Sequence, residues 1–303
     1  MQIKLRLFLI LFAFFLFLLD WVFVLTNSTQ ISFLILVLIL FGVPHGALDL
    51  YIDQHLRKSE SNQKVFLLKY IGNIIAYALV WYFFPIAALV IFILITAYHF
   101  GEIDWMGKTE NIIHKIAYSV IGLLWILFLL SKNVNFALEV FMRMERSAFN
   151  EKQWIQLANK IYPITLIGLF AVYAVLFFFK ELFFSKNKYY YYLIIQQLTL
   201  IVFALFMPLW LCFAFYFGFW HSLLSFDKIR ITFNMPNNFT GWKDLLIKAA
   251  PFSIMAWFGF VYITLSTLNS KDASGIFTLL FISLSVLALP HLQIFTKIKL
   301  KED

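Results

Sequence analysis

The sequence predicts an all-α fold: a polytopic integral membrane bundle of about 8–10 transmembrane helices, on three observations. Of its 303 residues, 62% are hydrophobic and only 13% charged, where an ordinary soluble domain carries about a quarter charged residues. Apolar runs of about 20 residues, the length that crosses a bilayer, recur from one end of the chain to the other. Basic residues collect between alternate runs, as they do in cytoplasmic loops. This balance excludes a disordered chain and a nucleic-acid binder. Cys212 is the single cysteine, so no intrachain disulfide exists. The net charge of +8 is accounted for by the loops.

In chain order the runs cover residues 5–25, 31–50, 66–84, 85–105, 112–130, 161–184, 189–207, 209–226, 247–268 and 274–295. The third and fourth meet at Pro85 and the seventh and eighth at Pro208, because the residue before a proline resists the helical conformation. The first run follows Lys4 and Arg6. It is longer than the apolar part of a signal peptide and no small-residue cleavage site follows, so it is expected to be a retained helix. With ten spans and the N-terminus inside, 18 of the 24 Lys and Arg residues fall on inside segments, among them Arg6, Lys228 and Arg230. Both termini are therefore expected in the cytoplasm, with the chain forming a single transmembrane domain over residues 1–303 of a bacterial-type inner membrane. The long connection from about 131 to 160 places Phe136, Val140, Phe141 and Met144 near helical spacing, with Trp154 beyond. It is either a helix lying in the interface or an exposed loop. Asp20, inside the first run, has no evident role.

Ionisable side chains inside a span are costly, and each is by default a functional hypothesis. His55 and His114 border polar loops and are expected at the solvated surface. His45, His99, His221 and His291 lie within the second, fourth, eighth and tenth runs. All four runs go from outside to inside. Each histidine stands 12 to 17 residues from the start of its run, or roughly 18–26 Å of travel at 1.5 Å per residue. The four imidazoles therefore share one layer in the cytoplasmic half of the membrane. A single such histidine is more often a packing residue with a hydrogen bond; four at one depth point to a shared site.

Neutral imidazole is the commonest metal ligand and suits iron, zinc, copper and nickel. Its second nitrogen usually donates to a carboxylate or carbonyl. Asp49, four residues after His45, shares its helix face and is expected to orient it. Glu102 and Asp104, three and five residues after His99, are either such partners or charges at a helix end. Gly42, Gly46, Gly101 and Gly218 suit close helix packing. Pro44 and Pro290, each directly before a histidine, leave a carbonyl one turn earlier without its donor. A haem held by two of the four histidines is one option. With six histidines in all, the chain is too poor for the boxes of membrane desaturases. It has no HExxH and no glycine-rich phosphate loop. A single non-haem metal with mostly histidine ligands is the best chemical reading, and iron(II) with an open position activates O₂.

Four segments, Gly42-Val43-Pro44-His45-Gly46-Ala47-Leu48-Asp49, Tyr98-His99-Phe100-Gly101-Glu102-Ile103-Asp104, Tyr216-Phe217-Gly218-Phe219-Trp220-His221-Ser222 and Pro290-His291, resemble the motifs of the Brp/Blh family. The resemblance covers most of the chain. It implies an integral membrane β-carotene 15,15′-dioxygenase that splits the central double bond with O₂, using Fe(2+) held by histidines, to give two molecules of retinal for rhodopsin-type proteins. His45, His99 and His221 match family ligand positions, and Asp49 matches the acidic residue of the first motif. The family's third motif usually carries a second histidine one turn after the first, and Ser225 stands there instead. Either His291 completes the site, or three histidines suffice, or activity is altered or lost. Phe100, Phe215, Phe219 and Trp220 are candidates for a polyene tunnel, and Tyr98 and Tyr216 are slightly better candidates for substrate contact. Two other classes stay open: a carotenoid or apocarotenoid binder without turnover, and a proton-coupled transporter using the intramembrane His and Asp residues.

Overall fold

The computed structural model describes residues 2–57, 62–105, 112–135, 137–138, 151–179, 189–268 and 273–298. Its regular elements are helical, and no strand occurs among the described residues. The chain is a polytopic helical membrane protein. Eight of the described helices are long and apolar enough to cross a membrane, and Tyr190–Phe206 and Phe281–Phe295 are shorter apolar stretches.

The helices start and stop where local chemistry directs. Helix α1 is Gln2–Phe23. A tight turn follows, with Val24 at a positive φ of 46°. Asp20 supports it: its Oδ1 accepts the Leu25 amide at 3.2 Å, so the acid without an assigned role is a turn residue. Thr26 then caps α2 (Asn27–Val37) by accepting from the Thr29 amide. The same rod continues through a π-helical segment, Leu38–Gly42, into α3 (Val43–Gly46) and α4 (Asp49–Arg57). Asn62 caps α5 (Gln63–Phe83), accepting from Lys64 and Val65. Pro85 opens α6 (Pro85–Asp104), where its missing N–H costs nothing. Helices α7 (Ile112–Lys132), α8 (Glu151–Phe178) and α9 (Tyr190–Phe206) follow. Pro208 precedes α10 (Leu209–Phe213), which runs through a second π-helical segment, Ala214–His221, into α11 (Ser222–Thr232). Helices α12 (Phe239–Leu268) and α13 (Ala273–Phe295) close the described chain.

Two sequence expectations change. Trp154 belongs to α8, which begins at Glu151, ten residues before the sixth apolar run; Phe136, Val140, Phe141 and Met144 lie outside the described residues. The eighth rod does not end at 226. It continues to Thr232 with Asp227, Lys228 and Arg230 buried. Arg6 is fully buried as well. These basic residues are therefore not loop charges, and the reason is pairing. Arg6 donates to the carbonyls of Ile103 and Asp104 at 2.6 and 2.7 Å, closing the C-terminal end of α6, where a cation is favoured by the helix dipole. Arg230 donates to Asp227 at 2.7 Å.

In a bilayer, helix association is driven by close packing and internal hydrogen bonds rather than by burial from water. Helices α6 and α7 pack along their lengths, and α13 packs on α4, α5 and α6. The α6–α7 contact depends on two glycines: a Cβ at Gly101 would collide with the Tyr118 carbonyl, and one at Gly122 with the Ala97 carbonyl. Gly122→Val is expected to separate the two helices and to destabilise the protein by about 1–3 kcal/mol, read as a lower midpoint of thermal unfolding in detergent. Gly72→Ala on α5, where nothing lies within 4 Å, should leave the midpoint unchanged.

Candidate metal centre

Four rods bring one histidine each to a common point. His45 comes from α3, His99 from α6, His221 from the end of the second π-helical segment and His291 from α13. One ring nitrogen from each of His45, His99 and His221 lies within 4.8 Å of the other two. His291 is not a member of that nitrogen set, but its ring adjoins it. Its centroid is 5.2 Å from that of His45 and 5.5 Å from that of His99, and His221 sits 5.3 Å from His45 and 4.7 Å from His99. Each neighbouring pair meets edge to face, at 76–90°. The shared depth read from the sequence is thus a meeting point in space.

Local backbone geometry aims two of these rings. One π-helical segment ends three residues before His45 and the other ends at His221, and they pack on each other. Pro44 removes a helical donor and its ring crowds the carbonyl of Leu40; the wide turn over Leu38–Gly42 relieves that clash, with the Val43 amide reaching back to the Leu38 carbonyl. In the second segment the Ser222 hydroxyl donates to the Phe217 carbonyl at 2.8 Å. Such bulges concentrate at functional sites.

The hydrogen bonds fix which nitrogen faces the cluster. The Ser222 hydroxyl has spent its one proton on Phe217, so towards His45 Nδ1, 3.3 Å away, it can only accept, and Nδ1 carries the hydrogen. His291 Nδ1 lies 2.8 Å from Asp49 Oδ1, an acceptor when ionised. Asp49 thus pairs with His291 and not with His45. The expected partnership assumed one continuous helix from 45 to 49. The helix breaks at Ala47 and Leu48, and α4 restarts at Asp49 with a different phase.

What remains is a set of buried nitrogens without partners: both nitrogens of His99, Nδ1 of His221 and Nε2 of His291. An unpaired buried polar atom costs about 1–3 kcal/mol. Several in one cluster are what a metal ion would satisfy, and the donor set fits one. Ser225, one turn after His221, is fully buried and its hydroxyl has no partner among the described residues. Other helical hydroxyls, such as those of Thr96 and Ser253, turn back to a carbonyl of their own helix.

Aromatic rings wall the cluster. Phe100 lies 4.1 Å from the His221 centroid, and Phe295 lies 4.7 Å from that of His99. Phe219 packs against Phe12, Phe33 and Phe41. Tyr216 stacks on Trp125 and gives its hydroxyl to Asp104 at 2.8 Å, and Asp104 also accepts from Trp220 at 2.8 Å. Both the Tyr216 hydroxyl and Asp104 are thereby committed to structure, as is Glu102, which pairs with Lys228 at 2.8 Å. Tyr98 is half-buried beside His99 and makes none of the ring contacts of the four histidines. His55 is exposed, as expected, and its Nδ1 meets the Tyr51 carbonyl.

With this geometry in place, comparison with known proteins is specific. A family model described as beta-carotene 15,15'-dioxygenase matches residues 36–299, a stretch that holds all four histidines. The chain belongs to the beta-carotene 15,15'-dioxygenase family. A relative of that name from an uncultured marine bacterium, 66A03, is 27% identical over 267 residues, spanning 85% of this chain and 90% of its own. No solved structure matches.

Tyr70 and Phe295 are neighbours of the histidine cluster that sequence reasoning missed, since nothing in their spacing singles them out; Ser222 was read only as part of a motif, without its bond to Phe217 or its approach to His45. The Lys228–Glu102 pair is 4% and 9% exposed. Removing one partner strands the other charge, and Lys228→Met is expected to destabilise by about 3–5 kcal/mol. The double variant Lys228→Met/Glu102→Gln should recover most of that loss in the same unfolding assay.

Proposed function

We propose that the protein is a membrane dioxygenase that cleaves β-carotene, or a closely related carotenoid, at its central 15,15′ double bond to two molecules of retinal. The cofactor is Fe(2+), held by His45, His99 and His221, with His291 as the fourth ligand. The observation that carries this reading is the convergence of imidazoles from four rods, several of whose buried nitrogens have no partner among the described residues, in a chain of this family.

When bound there, iron(II) with an open coordination position supplies activation of O₂. The protein's own contribution is to hold and to exclude. Splitting one carbon–carbon double bond with one O₂ gives two aldehydes and consumes no external proton or electron. The surroundings agree with that balance. Asp49, Glu102, Asp104 and Lys228 are each held in a hydrogen bond, and the reaction as balanced asks none of them for a proton. Ser222 and Asp49 fix the tautomers of His45 and His291. Phe100 and Phe295 keep water from the rings. His45 is the partly exposed member of the four, and Ile39 and Leu40 beside it are exposed apolar surface. A bilayer-dissolved polyene approaches along that side, past Phe41 and Phe219. The retinal released into the membrane is suited to a rhodopsin-type protein.

Ser225 favours one competing reading, in which the chain binds a carotenoid or apocarotenoid without turning it over. A serine hydroxyl is a poor ligand for iron(II), and this one stands where the family resemblance leads one to expect an imidazole. Expression in a bacterial host that accumulates β-carotene separates the two. Retinal, measured by chromatography and lost together with bound iron in His99→Ala, is the expected result. Folded protein that keeps iron and carotenoid yet yields no cleavage product would establish the binder.

A further inference from the structure

Asp49 has two oxygens and both are engaged. Oδ1 receives His291 Nδ1, and Oδ2 accepts the Tyr70 hydroxyl at 2.8 Å. Three elements meet in this chain: α5 supplies Tyr70, the first residue of α4 supplies Asp49, and α13 supplies His291. Asp49 is 3% exposed and sits at a helix start, where negative charge is favoured. One turn further along α5, Asn73 Nδ2 donates to Gln293 Oε1 at 2.8 Å, fixing the register of α5 against α13. Beyond Tyr70 lies a cavity of about 190 Å³ whose walls include Lys69, Asn73, Gln293 and Lys297. Val65, Phe66, Pro290 and Ile294 make the rest of its lining partly apolar; Tyr70 lines it and Asp49 does not.

We propose that Tyr70 is a positioning residue for the metal centre. Its hydroxyl occupies one oxygen of Asp49, so that the other holds the His291 ring edge to face with those of His45 and His99. A carboxylate left with one free oxygen can rotate and take its second hydrogen bond from water in the cavity. Held on both sides, it presents a single orientation to the imidazole. Groups that orient a ligating histidine in this way typically carry 10–100-fold in metal affinity. Tyr70 also seals the carboxylate on the cavity side, which keeps the His291 contact dry.

The inference rests on the reading of the four histidines as a metal centre, and the test separates the two. The full chain is purified in detergent without metal and titrated with Co²⁺ under anaerobic conditions, following the visible absorption bands of the bound ion. Tyr70→Phe removes one hydroxyl and keeps the ring. The expected result is about tenfold weaker Co²⁺ binding and shifted bands, with the unfolding midpoint of the metal-free protein unchanged. Tyr70→Leu serves as the second variant, should Tyr70→Phe fail to fold: it also removes the hydroxyl and leaves Asp49 intact, and weaker binding with shifted bands is again expected. Wild-type affinity and bands in whichever of these variants folds, with binding abolished in His99→Ala, would overturn the role of Tyr70 and leave the centre standing. Undiminished Co²⁺ binding in both His45→Ala and His99→Ala would overturn the centre itself.

Discussion

Inside a bilayer a polar atom has no water to fall back on, so each one must be satisfied by the protein or by something the protein holds. This constraint orders the whole molecule. Around the histidines, a belt of charged and polar groups is paired group by group: Arg6 with the end of α6, Glu102 with Lys228, Asp104 with Tyr216 and Trp220, and Asp227 with Arg230. The belt lies beside the imidazoles, where several buried ring nitrogens have no partner among the described residues. Unpaired buried atoms occur elsewhere too, as at Arg6 Nε and the Ser225 hydroxyl, but four of them sit on three neighbouring imidazoles.

The same constraint explains why part of the site was legible in the sequence. A span has a fixed length, so distance along a run is depth in the membrane, and four histidines at similar offsets must share a layer. Pro85 and Pro208 mark breaks because proline cannot donate, and both stand at helix junctions. The partner of Asp49 was not legible. Helical periodicity carries a residue's direction only while the helix continues, and the break at Ala47–Leu48 resets it. The buried charges were hidden for a related reason. Hydropathy treats Lys228 and Arg230 as the end of a run, whereas the helix continues wherever a partner meets the charge. Pairing between residues such as Glu102 and Lys228, 126 positions apart, leaves no trace in a local pattern.

The two π-helical segments connect backbone to chemistry. A π-turn admits one more residue than an α-turn and rotates all that follows relative to what came before. On the rod that carries His221 that rotation ends at the histidine, and on the rod that carries His45 it ends three residues before it. Straight helices with the same sequence spacing would turn these rings elsewhere. The two prolines beside cluster histidines act on the same variable, since each removes a rung of the helix ladder next to a ring that must be aimed.

The ring of imidazoles draws one member from each of the second, fourth, eighth and tenth rods, and the last of them closes the described chain. A membrane protein is inserted from its N-terminus as it is made. His45 and His99 are therefore in the bilayer well before His221 is, and His291 arrives at the end. During synthesis the early imidazoles are an incomplete set, and only when α13 docks against α4, α5 and α6 does the fourth ring take its place. The last helix to dock therefore supplies both the fourth ring and the packing against α4, α5 and α6 that holds it beside the other three.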